Sequence, residues 1–325
     1  CPRFSSGDGK GLIKSSIRGD DLFILCDVGN YSCTYNYFGR ENSMSPDDHY
    51  QDLKRIIQAA GGKAHRINII MPSLYGGRQH RRNYRESLDC AVALQELQAM
   101  GVSNILTFDA HDPRVQNAVP LMGLDNIIPS YQVLKAMFKN LSDFRPDKDH
   151  FMIISPDEGA INRNMYYASV LGVNLGMFYK RRDYSTIIDG RNPIVAHEYM
   201  GNDVAGKDVF IADDIISSGE SMLDIAVELK KRKANKIYCY ATYPIFTNGL
   251  EAFNKAYADG IIDGVFGTNL TYRTPELLSS PWFYEVDCSK YIAYFIASLN
   301  HDKSISQVID PHTKIEALLK KYGIK

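Results

Sequence analysis

The sequence predicts an α/β fold in two domains, each built on a mainly parallel sheet flanked by helices. Short apolar runs alternate with longer amphipathic ones along most of the chain, the pattern of strands joined by crossover helices. With 325 residues, 45% of them hydrophobic, the chain can bury two cores. A third observation is local. From Asp208 to Met222 an apolar run ends in two carboxylates and then in a small-residue loop that opens a helix. Open α/β sheets bind ligands at such carboxyl ends of strands.

Six strands are expected, at Asp21 to Cys26, Lys63 to Met71, Asn104 to Phe108, Phe151 to Ser155, Val209 to Ala212 and Lys236 to Tyr243. Each is short, apolar and rich in β-branched or aromatic residues. Helical spacing marks Tyr50 to Ala60, Glu86 to Met100 closed by Gly101, Ile128 to Asn140, Arg163 to Leu171, Ser221 to Lys233 and Leu250 to Ala258. In Ser221 to Lys233, Met222, Ile225, Ala226 and Leu229 recur on one face. The charged, Pro-containing stretch Ser142 to His150 is the expected domain boundary, giving domains 1–147 and 148–307. A tail at 308–325 follows, with a basic amphipathic helix over Lys314 to Lys325.

Composition narrows the function. A net charge of -1 gives no electrostatic case for nucleic acid or an acidic membrane surface. Cys1, Cys26, Cys33, Cys90, Cys239 and Cys288 form no C-x-x-C pair and no zinc spacing, so they read as reduced packing thiols of a cytoplasmic protein. There is no run of eighteen apolar residues and no signal-peptide pattern.

The chemistry gathers at strand ends. Free N–H groups and the helix dipole at Ser217 to Ser221 favour a phosphate, with Ser217, Ser218 and Ser221 adding hydroxyl donors. Many doubly wound sheets carry polar, Gly-containing turns that bind nothing. Adjacent carboxylates repel each other, however, so Asp213 and Asp214 need a reason to be there, either ribose hydroxyls or a metal. His111 follows Asp109 by two positions, and both side chains are expected to point the same way. Asp157, beside Pro156, either shapes a turn or meets a cation. Arg78, Arg81, Arg82 and Arg85 follow Gly76 and Gly77, a cationic cluster suited to phosphate oxygens or to a solvated face. Lys180 and Arg182 begin a polar segment, Tyr179 to Gly201, long and irregular enough for a lid.

Taken in order, these segments resemble one family. Asp213-Asp214-Ile-Ile-Ser-Ser-Gly-Glu-Ser221 looks like the phosphoribosyl-pyrophosphate (PRPP) loop shared by type I phosphoribosyltransferases and PRPP synthetases. Arg78-Gln-His-Arg-Arg82, Thr107-Phe-Asp-Ala-His111, Ser155-Pro-Asp-Glu-Gly159 with Arg163, Lys180-Arg-Arg182 and Tyr240-Ala-Thr-Tyr-Pro-Ile-Phe246 each resemble a synthetase element. Colinear matches from Phe4 to about Asp310 identify the chain with the ribose-phosphate pyrophosphokinase family, as a divergent branch.

The resemblance implies two phosphoribosyltransferase-type, Rossmann-like domains. It implies ATP contacts at Phe4, Ser6, Asp8, Arg78, Gln79 and His111, with magnesium at His111 and Asp157. Ribose 5-phosphate falls to Asp213, Asp214, Ser217, Ser218, Gly219, Glu220 and Ser221, and catalysis to Lys180 and Arg182. It also implies a dimer-based homo-oligomer, possibly a hexamer, and an initial strand and helix absent from this chain. Six positions depart from the family pattern, one of them Asn83, which stands for a carboxylate. Ser217 stands for an aspartate, Glu220 for a glycine and His80 for an aspartate, while Ser6 and Asp8 replace longer or acidic residues. These departures suit a second reading, a non-catalytic homologue that assembles with active subunits. A PRPP-using transferase would lack the Arg78 and His111 segments.

Overall fold

The computed structural model describes residues 1–182 and 194–324. In chain order the elements are β1 (Asp21–Leu25), β2 (Thr34–Tyr37), β3 (Arg40–Ser43), α1 (Pro46–Ala60), β4 (Arg66–Ile70), α2 (Asp89–Ala99), β5 (Asn104–Phe108), β6 (Gly123–Ile127), α3 (Ser130–Asn140) and β7 (Phe151–Ser155). There follow α4 (Ile161–Leu171), β8 (Asn174–Arg182), β9 (Ile194–Met200), β10 (Asp208–Ile216), α5 (Glu220–Lys231), β11 (Ile237–Pro244), α6 (Glu251–Ala258) and β12 (Gly264–Thr268). The chain continues with α7 (Pro275–Ser279), β13 (Phe283–Val286), α8 (Ser289–Asn300), α9 (Ser306–Ile309) and α10 (His312–Lys321).

The chain divides into two compact units. The first comprises Cys1–Pro129, Leu270–Tyr272 and Ser289–Ile309; the second comprises Ser130–Asn269, Arg273–Cys288 and Asp310–Lys325. This partition differs from the 1–147, 148–307 and 308–325 reading. The Ser142 to His150 stretch is no boundary here, because the Phe144 ring lies 4.9 Å from Phe138 and 5.0 Å from Phe151. Phe138 in turn stacks on Tyr322 at 4.6 Å, which ties α3 and the C-terminal segment into the second unit.

The first unit carries a parallel sheet in the order β1-β4-β5-β6. Helix α1 shows why its sequence folds where it does. Ser45 and Asp48 form a reciprocal capping box, Pro46 occupies the first turn and Gly61 closes the helix in the left-handed region. Tyr50, Leu53, Ile57 and Ala60 then fall on one buried face. At the end of β1 the Asp27 carboxylate accepts hydrogen bonds from Gly29 N at 3.0 Å, Thr271 Oγ1 at 3.3 Å and Tyr272 N at 3.0 Å. Those bonds bring the Leu270–Tyr272 segment into this unit.

The second unit carries a seven-stranded sheet in the order β13-β12-β11-β10-β7-β8-β9, parallel except for β9 against β8. Its central strands are buried on both faces, as parallel sheets covered by helices must be. Two expectations change. Strand β10 does not stop at Ala212 but pairs with β11 through Ile216, so Asp213 and Asp214 stand within a strand. The ends of the Tyr179 to Gly201 segment are strands as well, paired Met177↔Met200 through Lys180↔His197. Residues 183–193 of that expected lid lie outside the described residues.

Candidate functional site

In the second unit, β10 carries Asp213 and Asp214 toward the carboxyl ends of the parallel strands, and three residues connect it to α5. Gly219 caps that helix at φ +83°, and no side chain caps its first turn. The N–H of Glu220 has Ser218 Oγ at 3.5 Å, long enough to leave the donor largely available. A side chain at Gly219 would be strained and would also collide, because an added Cβ would lie 2.3 Å from the buried Phe253 ring. The neighbouring β11–α6 loop braces this turn. Thr247 N donates to Ser217 O at 2.9 Å and Ile245 N to Ile216 O at 3.0 Å.

The carboxylate pair has unequal surroundings. Asp214 is 6% exposed. Asp213 Oδ1 accepts from Asp214 N at 2.9 Å and from Arg163 Nη1 at 3.4 Å. Burial, and next the Asp214 charge, push the Asp213 carboxyl well above its ordinary range, while Arg163 opposes the shift. Arg163 comes from α4, whose buried Asn164 donates through Nδ2 to Ala212 O at 2.8 Å and to Ala160 O at 2.9 Å, docking the helix on β10. Asp157 serves its turn: Oδ1 accepts from Gly159 N at 3.0 Å and Ala160 N at 3.2 Å. Ser155 Oγ donates to Asp157 O at 2.8 Å in the same turn.

In the first unit, Asp109, His111 and His80 gather at the end of β5. The strand alternation that would align Asp109 with His111 breaks, because Asp109 is buried and left-handed at φ +43°. His111 is exposed, with its ring 5.3 Å from that of His80 and tilted by 58°. His80 Nε2 lies 3.4 Å from Asp112 Oδ2. Burial lowers the His80 pKa, and the Asp112 carboxylate partly offsets this. Asp112 is held by the Arg114 guanidinium at 2.6 Å, which draws its pKa down to about 2.

Gln79 turns inward, donating through Nε2 to Ser87 O at 2.9 Å. Arg78, Arg81, Arg82 and Arg85 are exposed and make no ion pair among the described residues. At the amino end, Phe4 N bonds Asp8 O at 2.8 Å and Ser6 Oγ donates to Asp8 Oδ2 at 2.8 Å, forming a tight loop with an exposed Phe4 ring. Arg3 anchors that loop to α1 through Asp52 at 2.7 Å. The side chains of Lys180 and Arg182 lie outside the described residues.

Among the described residues no group of three or more His, Cys, Asp or Glu side chains forms a metal cage. The Asp213–Asp214 pair, two adjacent carboxylates with Arg163 beside Asp213, fits a hard cation that arrives with phosphate and water oxygens of its own. The donors around His111 are nitrogen-rich and fit such a cation only as a single contact. Sequence reasoning did not single out Asp112, Asn126 or Asn164. None belongs to a motif, and only tertiary packing brings them to the strand ends.

Comparison with known proteins bears on the family and the fold. Residues 1–101 match the N-terminal domain of ribose phosphate pyrophosphokinase and residues 124–261 match the phosphoribosyl transferase domain. A ribose-phosphate pyrophosphokinase of Shewanella oneidensis is 28% identical over 310 residues, covering 94% of this chain and 88% of the relative. One from Vibrio cholerae is 27% identical over 314 residues, covering 95% and 90%. The fold matches the crystal structure of phosphoribosylpyrophosphate synthetase from Mycobacterium smegmatis with a TM-score of 0.74 at 20% identity, across 93% of this chain and 89% of that one. Both domain matches fall in the order that the strand-end motifs predict, and the chain belongs to the ribose-phosphate pyrophosphokinase family.

Proposed function

We propose that this chain transfers the pyrophosphoryl group of Mg-ATP to the 1-hydroxyl of ribose 5-phosphate, yielding PRPP and AMP. The observation that carries the reading is the Asp213–Asp214 pair followed by the uncapped amino end of α5. Family membership names the reaction. The sugar's 5-phosphate would take N–H and hydroxyl donors from Ser217, Ser218, Gly219, Glu220 and Ser221. Its ring hydroxyls would meet Asp213 and Asp214.

The 1-hydroxyl oxygen attacks the β-phosphorus in line, the bond from that phosphorus to the α-bridging oxygen breaks, and AMP leaves while the hydroxyl proton passes to solvent. No covalent enzyme intermediate is required. Positioning and charge neutralisation carry the step. On the first unit Arg78, Gln79 and His111 would contact ATP, joined by Phe4, Ser6 and Asp8, which we assign to the nucleotide of a neighbouring subunit. Lys180 and Arg182 would meet charge developing on the transferred group. His111 would hold magnesium that comes with ATP, and Asp157 or the ribose hydroxyls a second ion; bound there, the ions would supply Lewis-acid charge neutralisation.

The same resemblance supports a dimer-based homo-oligomer, testable by light scattering, and a cytoplasmic location. No helix among the described residues is long and apolar enough to cross a membrane. No observation among the described residues favours the non-catalytic homologue. The test is AMP and PRPP formation followed by mass spectrometry, with and without ribose 5-phosphate. Joint appearance of both products, only with the sugar present, is the expected result. A folded protein that binds nucleotide yet makes neither product would overturn the reading.

A further inference from the structure

We infer that Asn126, on β6, is a positioning residue that holds His111 for the nucleotide. The inference rests on the ATP role given to His111 above. Three constraints converge on this exposed imidazole. Strands β5 and β6 run in parallel register with Thr107↔Asn126 and Phe108↔Ile127, and Asp109 N still donates to Ile127 O at 2.8 Å. There the chain leaves the sheet through the left-handed Asp109. The next donor, Ala110 N, would lose its ladder partner. Instead it is taken by Asn126 Oδ1 at 2.9 Å, a side-chain acceptor standing in for a backbone carbonyl.

On the far side of His111, Asp112 Oδ1 accepts from Arg114 N at 2.9 Å and starts the Pro113–Ala118 3₁₀ turn. The His80 ring covers a third direction at 5.3 Å. A buried non-glycine residue in the left-handed region is strained and persists only where its surroundings over-determine it. Here the strain and its restraints lie on the two residues that precede His111. The arrangement fixes where an otherwise solvent-facing imidazole starts from the backbone, as a site that must meet a phosphate or its cation requires.

Asn126→Ala removes the acceptor and Asn126→Asp keeps it. With the full chain, Asn126→Ala is expected to raise KM for ATP about tenfold while leaving KM for ribose 5-phosphate within twofold, and Asn126→Asp to recover most of that loss. In parallel, the His111 ring resonance in a ¹³C–¹H NMR spectrum should move in Asn126→Ala and return in Asn126→Asp. Should alanine fail to fold, Asn126→Val, which suits a strand but offers no acceptor, makes the same comparison. Unchanged ATP kinetics, or equal losses for both substrates, would overturn the inference. So would an aspartate variant no better than alanine. If the parent makes no PRPP, the functional reading fails on its own, and the ring resonance alone decides: an unmoved His111 signal in Asn126→Ala sinks the positioning role.

Discussion

Glu220 Oε1 accepts a hydrogen bond from Asn248 Nδ2 at 3.4 Å, so the carboxylate at the head of α5 is turned toward the β11–α6 loop. An acidic residue in a helix's first turn also interacts well with the helix dipole. Together these explain how Glu220 can occupy the amino end of a helix proposed to take a phosphate.

Glu220→Gly should therefore keep or strengthen ribose 5-phosphate binding, measured by calorimetry. It should lower stability by about 1 kcal/mol through lost helix propensity and dipole interaction. A large drop in sugar-phosphate affinity would make Glu220 a direct ligand contact.

Gly219→Ala should be far worse. Its φ of +83° and the 2.3 Å approach of an added Cβ to Phe253 combine strain with overpacking, an expected loss of about 2–4 kcal/mol. Thermal melting would register the loss, and sugar-phosphate affinity should fall with it. A variant with parental Tm would contradict the assigned backbone geometry.

Asp213 makes a prediction about pH. Its carboxyl is raised in the native state, chiefly by burial and then by the Asp214 charge. The native state therefore holds this proton more tightly than the unfolded chain. The linked stability is fully present below the unfolded value near about 4 and is lost as pH rises through the raised native value. Asp213→Asn has no such proton to lose, so its Tm relative to the parent should climb as pH increases from 4. A constant Tm difference would show that Asp213 titrates normally.

Lys180→Ala should cut turnover by orders of magnitude with little change in ATP affinity, because a cation facing developing charge acts in the transition state. Equal losses in turnover and affinity would move Lys180 into ground-state binding.

Much of the fold was legible because its central strands are continuous apolar runs. Asn104–Phe108 and Phe151–Ser155 coincide with β5 and β7, since a strand buried on both faces declares itself by composition alone. Strands β2 and β3 were invisible: Thr-Tyr-Asn-Tyr and Arg-Glu-Asn-Ser have no buried face to mark them, and a tight turn at Phe38 and Gly39, both left-handed, joins them. The strand expected at Val209 to Ala212 was drawn too short, because the two carboxylates Asp213 and Asp214 look like the end of a strand. Backbone pairing with β11 carries the strand past them. At the site, motif residues could be found by type and spacing. Asn126 could not, because it acts through a single bond to Ala110 N, a donor whose position only the folded sheet defines.

The clasp at Asp27 bears on how the protein is made. A chain cut after Pro129 would hold the whole β1-β4-β5-β6 sheet yet lack Thr271 and Tyr272, two of the three partners of the half-buried Asp27 carboxylate. It would also lack Tyr291, whose ring meets Phe108 at 6.4 Å, and Asp302, which pairs with Arg66 at 2.5 Å. Emergence from the ribosome in sequence therefore does not complete the first unit before the second begins. Its last stitches wait until the stretch to Ile309 has been translated, and both cores mature together late in synthesis.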